Sequence, residues 1–156
     1  MKSKKPMIVT ITVVILLGLG LYAVNNGYQV KVLGAKSGLV VGYRGDIPKI
    51  KETEIITLKD DLGFGWIIVT EEIDKDISWE EVVVFPEKPK KLLVTKSTKI
   101  SRNGKKAITK RSSNLADGII YNVWGLSKGD PLGQYQIKIY TQGKLLKQFS
   151  FTAKAI

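Results

Sequence analysis

The chain beyond Tyr28 repeats the period of β-strands. Its runs of Val, Ile, Tyr, Phe and Trp are short and are either apolar or alternate with polar residues. Gly, Pro, Asn or Asp interrupts them roughly every eight to twelve residues, and no amphipathic helical pattern occurs. This spacing, together with the number of runs, predicts an all-β protein built as an antiparallel β-sandwich.

The runs give a set of predicted strands, and the pattern also allows a short helical turn over 74–79. The predicted strands are 28–33, 38–43, 54–58, 64–71, 79–85, 91–95, 98–102, 105–110, 118–124, 135–141 and 144–152. We read 112–114 as a polar loop. Asn103-Gly104 favours a two-residue type I′ turn, and the chain turns again at Gln142-Gly143. The successive Leu145 and Leu146 break the alternation and predict a bulge or a strand end near them.

The N-terminus reads as a membrane-directed segment. Lys2, Lys4 and Lys5 precede residues 7–24, which contain no ionisable side chain. Such a segment predicts one hydrophobic helix, either a retained transmembrane anchor or a cleaved signal. We therefore divide the chain into an anchor or signal (1–27) and one domain (28–156). The expected location is the cell membrane, single-pass with the domain outside the cytoplasm; secretion or a periplasmic location after cleavage is the alternative.

Composition excludes several chemistries. The chain contains neither cysteine nor histidine. Disulfides, Cys-ligated metals and lipidated cysteine are excluded, as are Ser-His-Asp triads and His-based metal sites. Carboxylate or lysine chemistry stays open to an enzyme, but no motif points to it. We assign no catalytic, cofactor-binding or metal-ligating residue.

Positive charge is concentrated in one stretch. Residues 88–111 contain ten Lys and Arg and no acid, whereas the chain as a whole has 25 Lys and Arg against 14 Asp and Glu. A two-residue turn would place Arg102 opposite Lys105 and Lys96 opposite Arg111, and like charges in such positions repel. The candidate residues for binding an anionic partner, here called the basic strip, are Lys96, Lys99, Arg102, Lys105, Lys106, Lys110 and Arg111.

Two interpretations of the basic strip stay open. It could hold anionic lipid, an anionic cell-wall polymer or an acidic protein near the membrane. It could instead be a solvated edge whose lysines prevent edge-to-edge aggregation. Nucleic acid is disfavoured because the stretch lacks interleaved aromatic residues for stacking.

Two further clusters have ordinary and functional interpretations. The acidic residues of 71–81 lack the spacing of a calcium loop, and we favour a solvated connection. The aromatic residues could line a carbohydrate or peptide groove, although aromatic residues at strand period are typically core. The aromatic set comprises Trp66, Trp79, Trp124, Tyr121, Tyr135, Phe149 and Phe151.

The last forty residues resemble a known class of domain. The motifs that carry the resemblance are Asp117-Gly118-Ile119-Ile120-Tyr121, Trp124, Gly129-Asp130-Pro131-Leu132-Gly133, Tyr135-x-Ile137-x-Ile139-Tyr140, Gly143-Lys144 and Phe149-x-Phe151. They are similar to the last three strands of bacterial exported immunoglobulin-like domains. Leu62-Gly63-Phe64-Gly65-Trp66 resembles an earlier strand in one such family of uncharacterised function. The resemblance implies an immunoglobulin-like sandwich outside the cytoplasm and brings no catalytic residue with it.

These observations favour a non-catalytic binding or scaffolding domain, tethered outside the cytoplasm, that contacts an anionic envelope partner through the basic strip. A carboxylate- or lysine-dependent envelope enzyme and a structural subunit of an envelope assembly remain alternatives.

Overall fold

The computed structural model describes residues 29–59, 61–92 and 94–156. These residues form ten β-strands and no helix. The strands are β1 (Val32–Arg44), β2 (Ile47–Glu52), β3 (Ile55–Thr57), β4 (Leu62–Thr70), β5 (Ile73–Val84), β6 (Thr98–Ile100), β7 (Lys106–Leu115), β8 (Ile119–Leu126), β9 (Gly133–Thr141) and β10 (Lys144–Lys154). Within this part of the chain no helix could span a membrane. The predicted hydrophobic helix and the boundary at 27 lie outside the described residues.

The strands build two sheets that pack face to face. The smaller sheet has the order β2-β1-β4-β8, and the larger has the order β3-β10-β9-β5-β7-β6. All described pairings are antiparallel except that of β3 with β10. The prediction of an all-β, antiparallel sandwich is therefore confirmed.

Alternate side chains of the strands fill the space between the sheets. Phe151 lies at the centre, with its ring stacked on Phe64 at 4.1 Å and on Tyr135 at 4.6 Å between centroids. The Tyr135 hydroxyl donates a hydrogen bond to the Pro131 carbonyl at 2.8 Å, the tyrosine-corner arrangement of many sandwiches. Burial raises the pKa of Tyr135, and the Asp130 carboxylate raises it further.

The C-terminal hairpin follows the prediction closely. Gln142 and Gly143 have φ of 50° and 75°, as a type I′ turn requires. The register between β9 and β10 shifts between Leu145 and Lys147, which confirms the predicted bulge.

The predicted strands 28–33 and 38–43 both overlap one strand, β1 (Val32–Arg44), and residues 29–31 precede it. Gly38 does not end it: a Cβ at that position would lie 2.1 Å from the Lys51 carbonyl oxygen, so glycine permits the close approach of β2. The strand β2 was missed because Pro48 argues against a strand, although proline is tolerated at a sheet edge, where β2 lies.

Three other local predictions are wrong. Residues 74–79 belong to β5 and form no helical turn. Residues 112–114 continue β7, where Ser113 accepts a hydrogen bond from Trp79 Nε1 at 2.9 Å. Residues 91, 92, 94 and 95 lie outside any strand, because Leu92 packs against the core from a loop.

The two ends of the sandwich differ in what they carry. At the entry end, the chain arrives at Gln29 and Val30, which line shallow depressions with Thr141 and Gln142. At the opposite, far end, the Phe85 N–H donates to the Lys105 carbonyl at 2.9 Å beside the β6–β7 turn. Arg111 pairs with Trp79, which pairs with Thr141 near the entry end. Lys105 lies six residue steps along the chain from this row. At about 3.3 Å per residue, the turn lies about 20 Å farther from the entry end.

Candidate anion-binding surface

The basic strip forms one hairpin at the edge of the larger sheet. Lys99 lies on β6, and three of its members lie on β7: Lys106, Lys110 and Arg111. Arg102 and Lys105 lie in the connecting turn, and Lys96 lies in a turn just before β6. All seven side chains are exposed. The structure thus brings the predicted residues onto one element.

The turn itself differs from the predicted type. The Gly104 N–H donates to the Ser101 carbonyl at 2.8 Å, so Arg102 and Asn103 are the central residues. Only Gly104, at φ 72°, is left-handed, which is the type I turn followed by a glycine bulge. The Asn103 side-chain oxygen accepts from the Lys105 N–H at 3.0 Å and holds the turn closed.

The predicted repulsion across the hairpin is absent from the ladder. The ladder pairs of β6 and β7 are Thr98 with Thr109, Lys99 with Ile108, and Ile100 with Ala107. Arg102, Lys105 and Lys96 all lie beyond its ends. Within the ladder, Lys99 therefore faces an aliphatic side chain, and Lys106 and Lys110 form backbone hydrogen bonds with Ser101 and Ser97.

The period of the strand divides the basic strip between two faces. Ala107 and Thr109 are buried and point between the sheets, so Lys106 and Lys110 point outward. Their Cα atoms lie about 13 Å apart along β7. Lys99 lies between them on the neighbouring strand, because its partner is Ile108. Arg111, adjacent to Lys110 in sequence, points inward.

A lysine from β9 extends the outward surface. Ile108 pairs with Val82, and Val82 pairs with Lys138. Lys99 and Lys138 therefore lie in one row that crosses four strands of the larger sheet. Lys138 was not among the residues predicted from the sequence. Its signal was the alternation of Tyr135, Ile137 and Ile139, which places the intervening residues on the opposite face.

Two members of the basic strip have partners within the domain. Lys110 Nζ lies 3.2 Å from a carboxylate oxygen of Glu80, its ladder neighbour. The Arg111 guanidinium lies over the ring of Trp79, 5.9 Å from the centroid. Among the described residues, no carboxylate lies within ion-pair distance of Lys96, Lys99, Arg102, Lys105 or Lys106.

The acidic residues of 71–81 do not form a cluster. Glu71 pairs with Lys31 at 2.8 Å, Asp76 accepts from Asn114 at 3.1 Å, and Glu80 pairs with Lys110. Glu81 points into the core. No group of three acidic side chains able to hold a metal ion occurs among the described residues.

Glu81 joins the two sheets through a buried polar cluster. Its carboxylate accepts hydrogen bonds from Trp66 Nε1 at 2.6 Å and Asn122 Nδ2 at 2.7 Å, and Trp124 Nε1 lies 3.0 Å from both oxygens. Burial raises the pKa of Glu81, while these hydrogen bonds and the Arg111 charge lower it. The side chain is 0% exposed, so it cannot touch a substrate.

Most residues of the aromatic set are buried in the core. Trp66, Trp79, Tyr135 and Phe151 are at most 3% exposed, and Trp66 meets Trp79 edge to face at 5.5 Å. Only Tyr121 and Trp124 of the aromatic set are half-buried, with the remaining member, Phe149, in the core. The core interpretation is the one that the structure supports.

The family follows from a match to most of the domain. A family model described as the PM0630 beta sandwich domain matches residues 39–154. The chain belongs to this family. The PM0630 match spans every strand from the end of β1 to β10, and no curated protein sequence matches the chain.

One solved structure supports the fold of this PM0630 domain. An immunoglobulin-like protein from Pseudomonas aeruginosa superposes with a TM-score of 0.54 at 13% identity, covering 81% of this chain and 98% of its own. The resemblance to bacterial immunoglobulin-like domains is thus confirmed. A second match is the Pseudomonas fluorescens alkylpurine DNA glycosylase AlkC, bound to DNA containing an abasic site analogue. It has 10% identity and covers 83% of this chain and 32% of its own, and its TM-score of 0.44 supports no inference.

Proposed function

We propose that this PM0630 domain is a non-catalytic binding module, tethered outside the cytoplasm by residues 7–24, that holds an anionic polymer of the cell envelope. The observation that carries the proposal is the set of five exposed cations of one hairpin that have no carboxylate partner among the described residues. Holding like charges on one short element costs free energy unless they are solvated or meet an anion. A polyanion binding there would offset that cost at several positions together.

The position of the turn favours a polymer over the lipid of the tethering membrane. The chain enters at Gln29, whereas Arg102 and Lys105 lie at the far end, about 20 Å farther along the strands. A domain tethered at its entry end directs this turn away from the membrane. Screening reduces a charge interaction strongly beyond about 8–10 Å at physiological salt. A partner in a more distant layer of the envelope therefore fits this geometry better.

The aliphatic residues between the cations favour binding by charge alone. Ile108, Val82 and Val84 are half-buried on the outer face, so Lys99, Lys106 and Lys138 project from a smooth, uncharged base. At the turn, Ser101, Arg102, Asn103 and Lys106 line an open depression, and Glu80 pairs with Lys110 on the same face. This arrangement suits a flexible polyanion whose charges repeat along its length. A catalytic role has less support, because Glu81, the one buried carboxylate among the residues that the structure describes, is sealed from solvent.

Binding to a defined polyanion tests the proposal. The full-length chain in detergent is passed over immobilised wall teichoic acid or a phosphate-free neutral glycan, and in parallel over vesicles containing phosphatidylglycerol. We expect retention on the anionic polymer that falls as salt rises. Replacing Lys99, Arg102, Lys105 and Lys106 by Gln is expected to weaken retention by about 8- to 30-fold, since four screened contacts of about 0.3–0.5 kcal/mol each sum to about 1.2–2 kcal/mol.

A second variant of equal charge serves as the control. Lys36, Lys49, Lys51 and Lys144 are also exposed and lie outside the hairpin. Changing these four to Gln alters net charge by the same amount and is expected to leave most of the retention intact. Equal losses in both variants would reduce the effect to net charge and contradict the proposed surface. Tighter retention on vesicles than on polymer would assign the surface to lipid headgroups instead.

A further inference from the structure

The strand β8 is a sheet edge without the usual protection. Native proteins shorten their edge strands or place charged residues and proline on them. β3 and β6 have three residues each, and β2 carries Pro48, Lys49 and Lys51. β8 runs for eight residues, Ile-Ile-Tyr-Asn-Val-Trp-Gly-Leu, with no charge and no proline. Within the described residues, β4 is its only strand neighbour.

The ladder identifies which backbone groups of β8 face away from β4. The Thr70 N–H donates to the Gly118 carbonyl at 2.7 Å, so this pair is hydrogen-bonded. Hydrogen-bonded pairs alternate along an antiparallel ladder. The N–H and C=O groups of Ile119, Tyr121 and Val123 therefore point to the free side, and no hydrogen bond to them is found within the described part of the chain.

The larger sheet extends beyond β8 and forms a floor beneath this free side. Glu81 of β5 reaches both Asn122 and Trp124, so β8 lies above β5 and the adjacent β7. A strand added to β8 would lie about 4.8 Å farther out, above β7 and β6. The inward-facing Arg111 is exposed there, and Ile100 is 41% exposed although it points between the sheets.

The far half of this crevice is already covered. Pro89 and Leu92, from the loop between β5 and β6, border a small apolar cavity of about 30 Å³ with Trp124 and Gly125. The near half, from Ile119 to Val123, has Arg111 beneath it. Arg111 pairs with Trp79, and the ring of Trp79 contacts the ring of Trp66 in the other sheet. Trp66 is the ladder partner of Asn122, which places Arg111 at the level of Asn122. The available site thus combines free backbone groups with an exposed guanidinium.

We propose that the near half of β8 accepts an extended segment of a partner protein as a fifth strand of the smaller sheet, with an acidic side chain of that segment over Arg111. The backbone groups of Ile119, Tyr121 and Val123 supply the ladder hydrogen bonds, which give affinity without sequence preference. Arg111 supplies selectivity through a charge-assisted hydrogen bond to a carboxylate. A second copy of β8 fits less well, because that strand contains no acid to meet Arg111.

Peptide binding tests this strand-addition site. The probes are nine-residue peptides that alternate Val and Thr and differ only at the central residue, which is Glu, Gln or Lys. The full-length chain in detergent is titrated with each, and hydrogen exchange is followed by NMR at the amides of Tyr121 and Val123. We expect the Glu peptide to slow exchange at both amides and to bind about fivefold or more tighter than the Gln peptide, with the Lys peptide weakest.

Two variants separate the backbone and charge contributions. Val123→Pro removes one N–H from the free side, where proline is tolerated, and is expected to abolish binding of all peptides; Val123→Thr is its control and keeps binding. Arg111→Gln is expected to retain weak binding but lose the preference for Glu. The four-residue Gln variant of Lys99, Arg102, Lys105 and Lys106 is expected to bind the Glu peptide normally, so the two proposals can fail independently.

Three results would overturn the inference. The first is unchanged exchange at Tyr121 and Val123 at millimolar peptide. The second is a preference for the Glu peptide that persists in Arg111→Gln. This measurement tests the inference even if Val123→Pro does not fold. The third is a dimer in light scattering that is lost in Val123→Pro, which would assign the edge to a second copy of the chain.

Discussion

The buried carboxylate of Glu81 gives the sharpest test of how this sandwich is held together. Three donors, Trp66 Nε1, Asn122 Nδ2 and Trp124 Nε1, have it as their acceptor. Trp66 is 0% exposed and Asn122 is 6% exposed, so water reaches neither readily; Trp124 is half-buried. Removing the acceptor should leave two donors enclosed without a partner.

A pair of substitutions isolates this effect from the cost of burying a charge. Glu81→Met and Glu81→Gln both remove the carboxylate and keep a similar volume, so the desolvation of the charge cancels between them. The Gln oxygen still accepts from Trp66 and Trp124, and its amide can pair with Asn122 once that amide turns over. The Met side chain accepts nothing of comparable strength. Each enclosed donor without a partner costs about 1–3 kcal/mol, so Glu81→Met should be less stable than Glu81→Gln by about 2–6 kcal/mol.

Urea unfolding at neutral pH measures the difference, provided that the two variants show equal m-values. Glu80 supplies the control, since it lies next in sequence and points outward toward Lys110. Glu80→Met and Glu80→Gln should differ by no more than about 0.5 kcal/mol. If Glu81→Met proves as stable as Glu81→Gln, the three donors do not depend on the carboxylate and the reasoning fails.

Three further predictions concern stability. Folding raises the pKa of Glu81 above its ordinary 4.5, so the contribution of Glu81 to stability is greatest below about pH 4.5 and is lost as pH rises through the folded-state pKa. The unfolding free energy of the wild type minus that of Glu81→Gln should therefore fall with rising pH. A difference that does not change with pH would contradict the shift. Tyr135→Phe should lose about 1 kcal/mol in urea unfolding because the Pro131 carbonyl loses its donor, and an unchanged midpoint would show that water replaces it. Gly104→Ala should lower the free energy of unfolding by about 1–2 kcal/mol in thermal unfolding, because φ is 72° and a Cβ would lie 2.8 Å from the Lys88 side chain. If adding Lys88→Ala restores the stability, the cost comes from crowding instead of backbone strain.

The fold could be predicted because the sequence is locally consistent with it. The alternation from Tyr135 to Phe151 determines which side chains face the core, and the Gln142-Gly143 pair determines the turn. Where prediction failed, a residue had a role set by a neighbouring strand. Gly38 looks like a break between strands in the sequence, but it is glycine because the backbone of β2 passes close to it.

Polar residues were wrongly assigned to loops where their hydrogen-bond partners lie far away in the sequence. Ser113 lies in a strand because it accepts the Trp79 indole N–H, 34 residues away. Glu81 was grouped with its acidic neighbours, yet period two already places it on the same face as Trp79 and Val83, both buried. The alternation predicted its inward direction, whereas the three donors that make its burial tolerable come from two other strands.

The same period explains why the basic strip could be located from sequence but not resolved into surfaces. Lys110 and Arg111 are adjacent, and on a strand adjacent residues take opposite faces. Lys110 therefore joins the outward surface with Lys99 and Lys106, whereas Arg111 lies in the crevice beside β8. A run of charge that reads as one patch thus contributes to two candidate sites, and only the sheet order, with β7 extending beyond β8, makes the inward one accessible. Substituting Lys110 and Arg111 separately should accordingly affect polymer retention and peptide selectivity in different proportions.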